Sequence, residues 1–160
     1  MIDDQGYRPN VGIVLCSPAG QVFWARRSGR NGWQFPQGGV KAHESIEQAL
    51  YRELYEEVGL SQEHVSVLGR TRDWLRYDIP GEFLRRAPSR PFRGQKQIWF
   101  LLRLVGGEDD VRLDRAGKPE FDAWRWIDYW SAVEEIIPFK RDVYRLALAE
   151  LEPLLNAPRA

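Results

Sequence analysis

The chain has 160 residues, 43% of them hydrophobic, and its 23 lysines and arginines balance 23 acidic residues to a formal net charge of +0. That length and apolar share suit one domain spanning 1–160 with a sizeable core. The neutral balance excludes the overall positive field of a protein that coats long nucleic acid, so any RNA contact is expected to be local. A lone cysteine, Cys16, excludes a disulfide framework within the chain and a Cys-x-x-Cys metal knuckle, and in the apolar run Val11 to Cys16 it reads as a small core residue. No apolar run approaches the roughly 18 residues of a membrane span, and the start Met1-Ile2-Asp3-Asp4 is not basic then apolar. A cytoplasmic location without membrane attachment is expected.

In chain order, Val11 to Cys16 and Val22 to Ala25 are predicted strands joined by a turn at Pro18-Ala19-Gly20. A helix is predicted to start at Ser45, where Ser45 and Gln48 make the Ser-x-x-Gln form of the capping box, and to stop at Gly59. Val65 to Asp78 offers weaker extended segments, Gln97 to Val105 a strong strand, and Ala123 to Ile127 a short one. After Lys140, the residues Tyr144, Leu146, Ala147, Leu151 and Leu154 recur near helical period and predict an amphipathic terminal helix. Strands grouped with two or more helices predict an α/β (α+β) fold with a mixed central sheet covered on both faces.

The helix after Ser45 carries the chemistry. At about 100° per residue, Ile46, Leu50, Leu54 and Val58 form one apolar stripe. Glu53, Glu56 and Glu57 lie beside it, with Glu57 at its edge, while Gln48, Arg52 and Tyr55 are expected to face water. Carboxylates at i, i+3 and i+4 repel by a few tenths of a kcal/mol per pair in water, and by more at the margin of a buried face. A cation removes that conflict. Oxygen-only ligands suit a hard divalent ion, Mg²⁺ or Mn²⁺, and Mg²⁺ usually shares its shell with substrate phosphates, so a polyphosphate substrate is implied.

These residues resemble the Nudix hydrolase family, whose box runs Gly, five residues, Glu, seven residues, Arg-Glu, an aliphatic, any residue, Glu-Glu, any residue, Gly, an aliphatic. Gly38, Glu44, Arg52, Glu53, Leu54, Glu56, Glu57, Gly59 and Leu60 fill every fixed position. Beyond the box the chain is similar to the bacterial RNA pyrophosphohydrolase branch, which also hydrolyses dinucleoside polyphosphates. The similarity runs through Gly6 to Gly12, Trp24 to Arg27, Trp33 to Gly39, Trp74 to Tyr77, Gly94 to Gln97, Trp99-Phe100, Pro119 to Asp122 and Phe139 to Tyr144. The loop Ser28 to Gly32 and the segment Pro80 to Arg93 follow no pattern of the branch.

The resemblance implies a Nudix α/β/α sandwich and attack of a metal-activated water on phosphorus. It implies metal binding by Glu53, Glu56 and Glu57, with Glu53 helping to orient or deprotonate the water. Glu120, in Pro119-Glu120-Phe121-Asp122, is implied as a further metal ligand or base. Gly38 and Gly39 are expected to let the backbone approach the metal or phosphate, where a Cβ would be in the way. Arg52 reaches Glu56 at i+4 and is expected to orient a carboxylate; Glu44, just before the cap, is expected to accept backbone N–H groups or complement the helix dipole. Arg8, Arg27, Gln95 and Lys140 are candidate phosphate or base contacts, and Tyr77 and Phe139 candidate stacking surfaces. Arg85, Arg86, Arg90 and Arg93 make a basic loop that could follow an RNA backbone.

The expected partner is therefore the 5′ end of an RNA, converted from triphosphate or diphosphate to monophosphate so that mRNA decay begins; some relatives are stimulated by a protein partner. Two other readings use the same residues: hydrolysis of other nucleoside polyphosphates, the dinucleoside type above all, and a non-catalytic nucleotide-sensing module. The intact glutamate set argues against the sensor.

Overall fold

The computed structural model describes residues 2–83 and 92–156. Strand β1 (Tyr7–Cys16) runs parallel to β7 (Gly94–Leu104) in unbroken register from Tyr7 opposite Gly94 to Cys16 opposite Arg103. These two strands are the middle of a mixed sheet. On one side β2 (Val22–Arg27) carries β3 (Trp33–Gln34) and β8 (Phe121–Ile127), and on the other β7 pairs with β5 (Val65–Arg70) and β6 (Leu75–Asp78). A short β4 (Gln37–Gly39) pairs antiparallel with β1 at Asn10, Val11 and Gly12.

Alternation along the two central strands explains the layers. Val11, Ile13 and Leu15 of β1 with Ile98, Phe100 and Leu102 of β7 face α1 (Ile46–Val58) and meet its Ala49, Leu50, Leu54 and Val58. Val14 and Cys16 with Trp99 and Leu101 face the other way, against α2 (Ser131–Glu135) and α3 (Arg141–Leu151), where Tyr144, Ala147, Leu148 and Leu151 are buried. Both faces being covered, Val11 to Cys16 is apolar almost without interruption rather than alternating. The expected sandwich is thus observed. Cys16 is fully buried and its thiol pushed up by burial, which fits a core residue.

Several expectations need correcting. β1 and β7 start well before Val11 and Gln97, because Pro9 and the polar run Gly94 to Lys96 hide strand that is held by the β1–β7 ladder rather than by its own propensity. β3, β4 and α2 were too short to show a period. Leu146 is 58% exposed, so the buried stripe of α3 runs through Val143, Tyr144, Ala147, Leu148 and Leu151, and Leu154 belongs to a following 3-10 turn. Among the described residues no helix is long and apolar enough to cross a membrane.

Candidate active site

The acidic helix is built as its ends foretell. Ser45 Oγ accepts the Gln48 N–H at 3.0 Å and Gln48 Oε1 accepts the Ser45 N–H at 2.8 Å, closing the capping box. Gly59 closes the other end at φ 79°, donating to the carbonyls of Leu54 and Tyr55; any Cβ there would run into the Arg112 backbone. With the rotation of the helix set, Glu53 (8% exposed) and Glu57 (5%) turn inward while Glu56 remains exposed.

Arg52 does not face water. Its Nε and Nη2 form a fork on Glu44 at 2.7 and 2.9 Å, Nη2 also donates to the Gly39 carbonyl at 2.7 Å, and Nη1 donates to Glu53 at 2.6 Å. The expected i+4 partner Glu56 is the weakest contact, at 3.5 Å. The guanidinium fork matches a carboxylate two bonds at a time, so Glu44 wins and is held down at about 2, chiefly by that hydrogen bond. Glu44 also accepts the Lys41 N–H at 2.9 Å. The result is a tie from the helix to the β4 turn that fixes Glu53 Oε1.

Gly38 faces the Glu53 carboxyl, and a Cβ on it would overlap that group; Gly39 has no such neighbour. The steric demand at this turn is therefore the carboxylate side chain itself. Glu57 is raised well above the ordinary carboxylate range, by burial first and then by the charges of Glu53 and Glu120, and its Oε1 has no hydrogen-bond partner. Glu53 is raised as well, again mainly by burial, against the opposing pull of Arg52.

An open cleft of about 820 Å³ is lined by Gln37, Arg52, Glu53, Glu56, Glu57 and Glu120, with Arg115 and Lys118 on its rim. Glu120 reaches this cleft by a device the sequence hides. Register between β2 and β8 slips after Arg26, so that Arg27 faces Phe121 and Asp122 bulges out. Bulges re-aim the chain beside functional sites. Here Phe121 goes into the core under α1, and Glu120 leaves the strand at the cleft. The unmatched loop Ser28 to Gly32 clamps the segment: Ser28 N–H donates to the Glu120 carbonyl at 2.8 Å, Ser28 Oγ to the Pro119 carbonyl at 2.7 Å, and Gly29 N–H to Asp122 at 3.2 Å.

A buried oxygen with no partner, in an all-oxygen donor set under mutual repulsion, fits a hard divalent cation. Among the described residues no three acidic, histidine or cysteine side chains converge on one point. That geometry suits Mg²⁺, which takes one or two carboxylates and fills its octahedron with water and substrate oxygens.

Behind Gln37, outside the cleft lining, Lys140 is buried, its ammonium 3.4 Å from Gln37 Oε1 and 5.6 Å from the Tyr77 ring centre. Burial first, and the Arg27 charge second, pull it down to about 8, while Glu57 opposes them. Tyr77 corrects an expectation: it is a core residue, 7% exposed and pushed up to about 12 by burial, with its ring packed against Phe139 at 6.0 Å and its hydroxyl toward Gln37. It has no free face for a base to stack on. Phe139 is half-buried between Tyr77 and Phe83.

Arg8 and Gln95 sit opposite each other on β1 and β7, outside the cleft lining; the Arg8 guanidinium lies over Phe92 at 4.8 Å and Gln95 Oε1 is buried without a partner. Of the basic loop, Arg93 is bound to Asp78 at 2.9 Å and stacks on Tyr7, so it is no free rail; Arg85, Arg86 and Arg90 lie outside the described residues. Sequence reasoning passed over Gln37, Arg115 and Lys118. The cations just before Glu120 were a usable signal, whereas nothing in the sequence tells that Gln37 points inward.

Together these features define a class: an α/β/α sandwich whose sheet end carries a cleft lined by carboxylates, with exposed Arg115 and Lys118 on its rim. The chain belongs to the NUDIX domain family, whose model matches residues 6–147. It is 62% identical over 156 residues to an RNA pyrophosphohydrolase of Alkalilimnicola ehrlichii, covering 97% of this chain and 86% of the relative. Solved structures share the fold: an Escherichia coli dihydroneopterin triphosphate pyrophosphohydrolase (TM-score 0.70, 20% identity, 90% of this chain and 98% of that one) and a Caenorhabditis elegans Ap4A hydrolase in a binary complex (TM-score 0.65, 21% identity, 91% and 98%).

Proposed function

We propose that this protein is an RNA 5′-pyrophosphohydrolase, converting a 5′-triphosphate or diphosphate end to a monophosphate with Mg²⁺ or Mn²⁺. The observation that carries the reading is the approach of unlike charges on either side of Gln37: an unpartnered buried oxygen of Glu57 in the cleft, and behind Gln37 the buried ammonium of Lys140. A polyphosphate chain on a divalent ion needs both. The 62% identity to a curated RNA pyrophosphohydrolase supports RNA as the bearer of that polyphosphate.

A divalent ion held by two of the carboxylates Glu53, Glu56, Glu57 and Glu120 would neutralise phosphate charge and make a water acidic enough to attack phosphorus. The chain's residues do the rest. Arg52 keeps Glu53 Oε1 occupied at 2.6 Å, leaving Oε2 as the group that takes a proton or points at the ion. Lys140 and Arg27 offer positive charge to the phosphate oxygens of the bound polyphosphate, in ground state and transition state alike. Arg8, Gln95 and Phe139 are proposed for the nucleotides behind the polyphosphate. A cytoplasmic site of action, and one domain over the whole chain, complete the proposal.

The test compares kcat/KM for a 5′-triphosphate RNA and a diadenosine polyphosphate, with Glu53→Gln as the blank. Faster Mg²⁺-dependent release of phosphate or pyrophosphate from the RNA is expected. Preference for the diadenosine compound would assign the site to the dinucleoside reading, and wild-type turnover by Glu53→Gln would remove the assignment of that residue.

A further inference from the structure

Gln37 lines the cleft and joins its carboxylates to the buried Lys140 behind it. Its backbone favours the charged form of Glu57, and its side chain meets Lys140. Behind it runs a chain of buried polar side chains reaching into the core. Trp99 Nε1 donates to Gln97 Oε1 at 3.1 Å; Gln97 Nε2 donates to Asn10 Oδ1 at 2.8 Å and to Gln37 Oε1 at 3.3 Å; Gln37 Nε2 donates to the Tyr77 hydroxyl at 3.4 Å.

The direction of this chain has one source. An amide side chain can present either end, but an indole N–H can only donate. Trp99 is fully buried, and its neighbour in register on β1, Gly12, leaves room for the ring where a Cβ would overlap it. Gln97, 0% exposed, must therefore turn its oxygen to the indole and its NH₂ outward. That NH₂ in turn requires an oxygen from Gln37. The same oxygen is the one that meets the Lys140 ammonium.

We propose that Gln37 and Gln97 are positioning residues for Lys140, and that the Trp99 N–H sets the polarity by which Gln37 meets the ammonium with its carbonyl oxygen and never with its NH₂. This rests on the reading of the cleft as a polyphosphate site, since Lys140 is taken to bind phosphate oxygens. The relay uses up acceptors and leaves donors. Tyr77 accepts from Gln37 and keeps its own proton to give, and Lys140 keeps the N–H groups not used on Gln37. A wall that offers donors alone selects an acceptor-rich anion and rejects groups that must themselves donate.

The experiment uses the full chain with Gln37→Met, Lys140→Met and their double variant, and Trp99→Phe. With 5′-triphosphate RNA, Gln37→Met and Lys140→Met should each raise KM about tenfold while kcat stays within about twofold, the scale of a lost hydrogen bond to a charged group. The double variant should be no worse than Lys140→Met, and Trp99→Phe should move KM in the same direction. Additive effects of Gln37→Met and Lys140→Met would overturn the proposal.

A second readout is independent of substrate: the side-chain ¹³Cε and ¹Hε resonances of Lys140, without ligand. They should be dispersed in the wild type and collapse to those of a solvated lysine in Gln37→Met. Unchanged Lys140 resonances in Gln37→Met would overturn the relay whatever the enzyme hydrolyses. Absence of RNA turnover by the wild type would instead sink the function while leaving this measurement decisive for the relay.

Discussion

Gly38→Ala separates two reasons for a glycine at this position. If backbone must approach a metal or phosphate there, alanine damages activity alone. The structure says otherwise: the new methyl would occupy the space of the Glu53 carboxyl. One of the two must move, and either the core strains by about 1–3 kcal/mol, or Glu53 swings away from Arg52, giving up a 2.6 Å charge-assisted bond. Glu53 is largely buried, so parting it from Arg52 costs at least as much as the first route, and the strain sets the scale. For a chain of this size about 1 kcal/mol moves Tm by roughly 2–4 °C, so the metal-free variant should melt several degrees lower. The decisive arm repeats the substitution in a Glu53→Ala background, where the methyl has space. There its effect on Tm should fall close to zero, a coupling of about 1–3 kcal/mol between neighbours. Thermal unfolding in chelator for all four proteins measures it. Equal destabilisation in both backgrounds would refute the steric argument, and no destabilisation in either would return Gly38 to a close approach of backbone to metal or phosphate.

Other outcomes follow from the same contacts. Glu57→Gln removes a charge that burial, Glu53 and Glu120 all oppose, so Tm in chelator should rise at neutral pH, and the further rise on adding Mg²⁺ should shrink; differential scanning calorimetry with and without Mg²⁺ reads both. Lys140 is held at about 8, below the 10.5 of a free lysine. Its ammonium is therefore lost above that pH while an unfolded lysine stays charged, so KM should climb on the alkaline side of about 8, and folding stability should rise with pH between about 8 and 10.5. A KM flat from pH 7 to 10 would contradict this. Arg52→Lys replaces a fork on Glu44 and bonds to Gly39 and Glu53 with a single ammonium; kcat should drop by at least about tenfold and more than KM changes, because the groups it orders act in the transition state.

The sequence disclosed what local chemistry dictates. Ser45, Gln48 and Gly59 announce the ends of α1 because capping is decided by a few side chains and one φ angle, and the inward turn of Glu53 and Glu57 follows from helical period. What stayed hidden was set by distant partners. Arg52 leaves the water-facing side because Glu44 and the Gly39 carbonyl, brought near by the β4 turn, outbid solvent. Tyr77 reads equally well as a stacking surface or as core until α3 is packed upon it. The bulge at Asp122 has no sequence period, yet without it Phe121 and Glu120 would exchange their surroundings. The family resemblance placed Glu120 and Lys140 near the chemistry, but it did not show that Ser28 and Gly29 clamp the one or that Gln37 faces the other.

β4 is the element that joins these facts. Three residues long and invisible to periodicity, it makes room for Glu53 at Gly38, holds Arg52 through the Gly39 carbonyl, and turns Gln37 toward Lys140. Its register on β1 places Gln37 opposite Gly12, the residue against which Trp99 packs. The spacing between the carboxylates and the Lys140 ammonium is thus a property of backbone pairing at Asn10 to Gly12 rather than of either helix. A change that slips this pairing by one residue would turn Gln37 to the opposite face of the sheet. It would also move Gly38 away from Glu53, so the seat of Glu53 and the Gln37 contact with Lys140 would fail together.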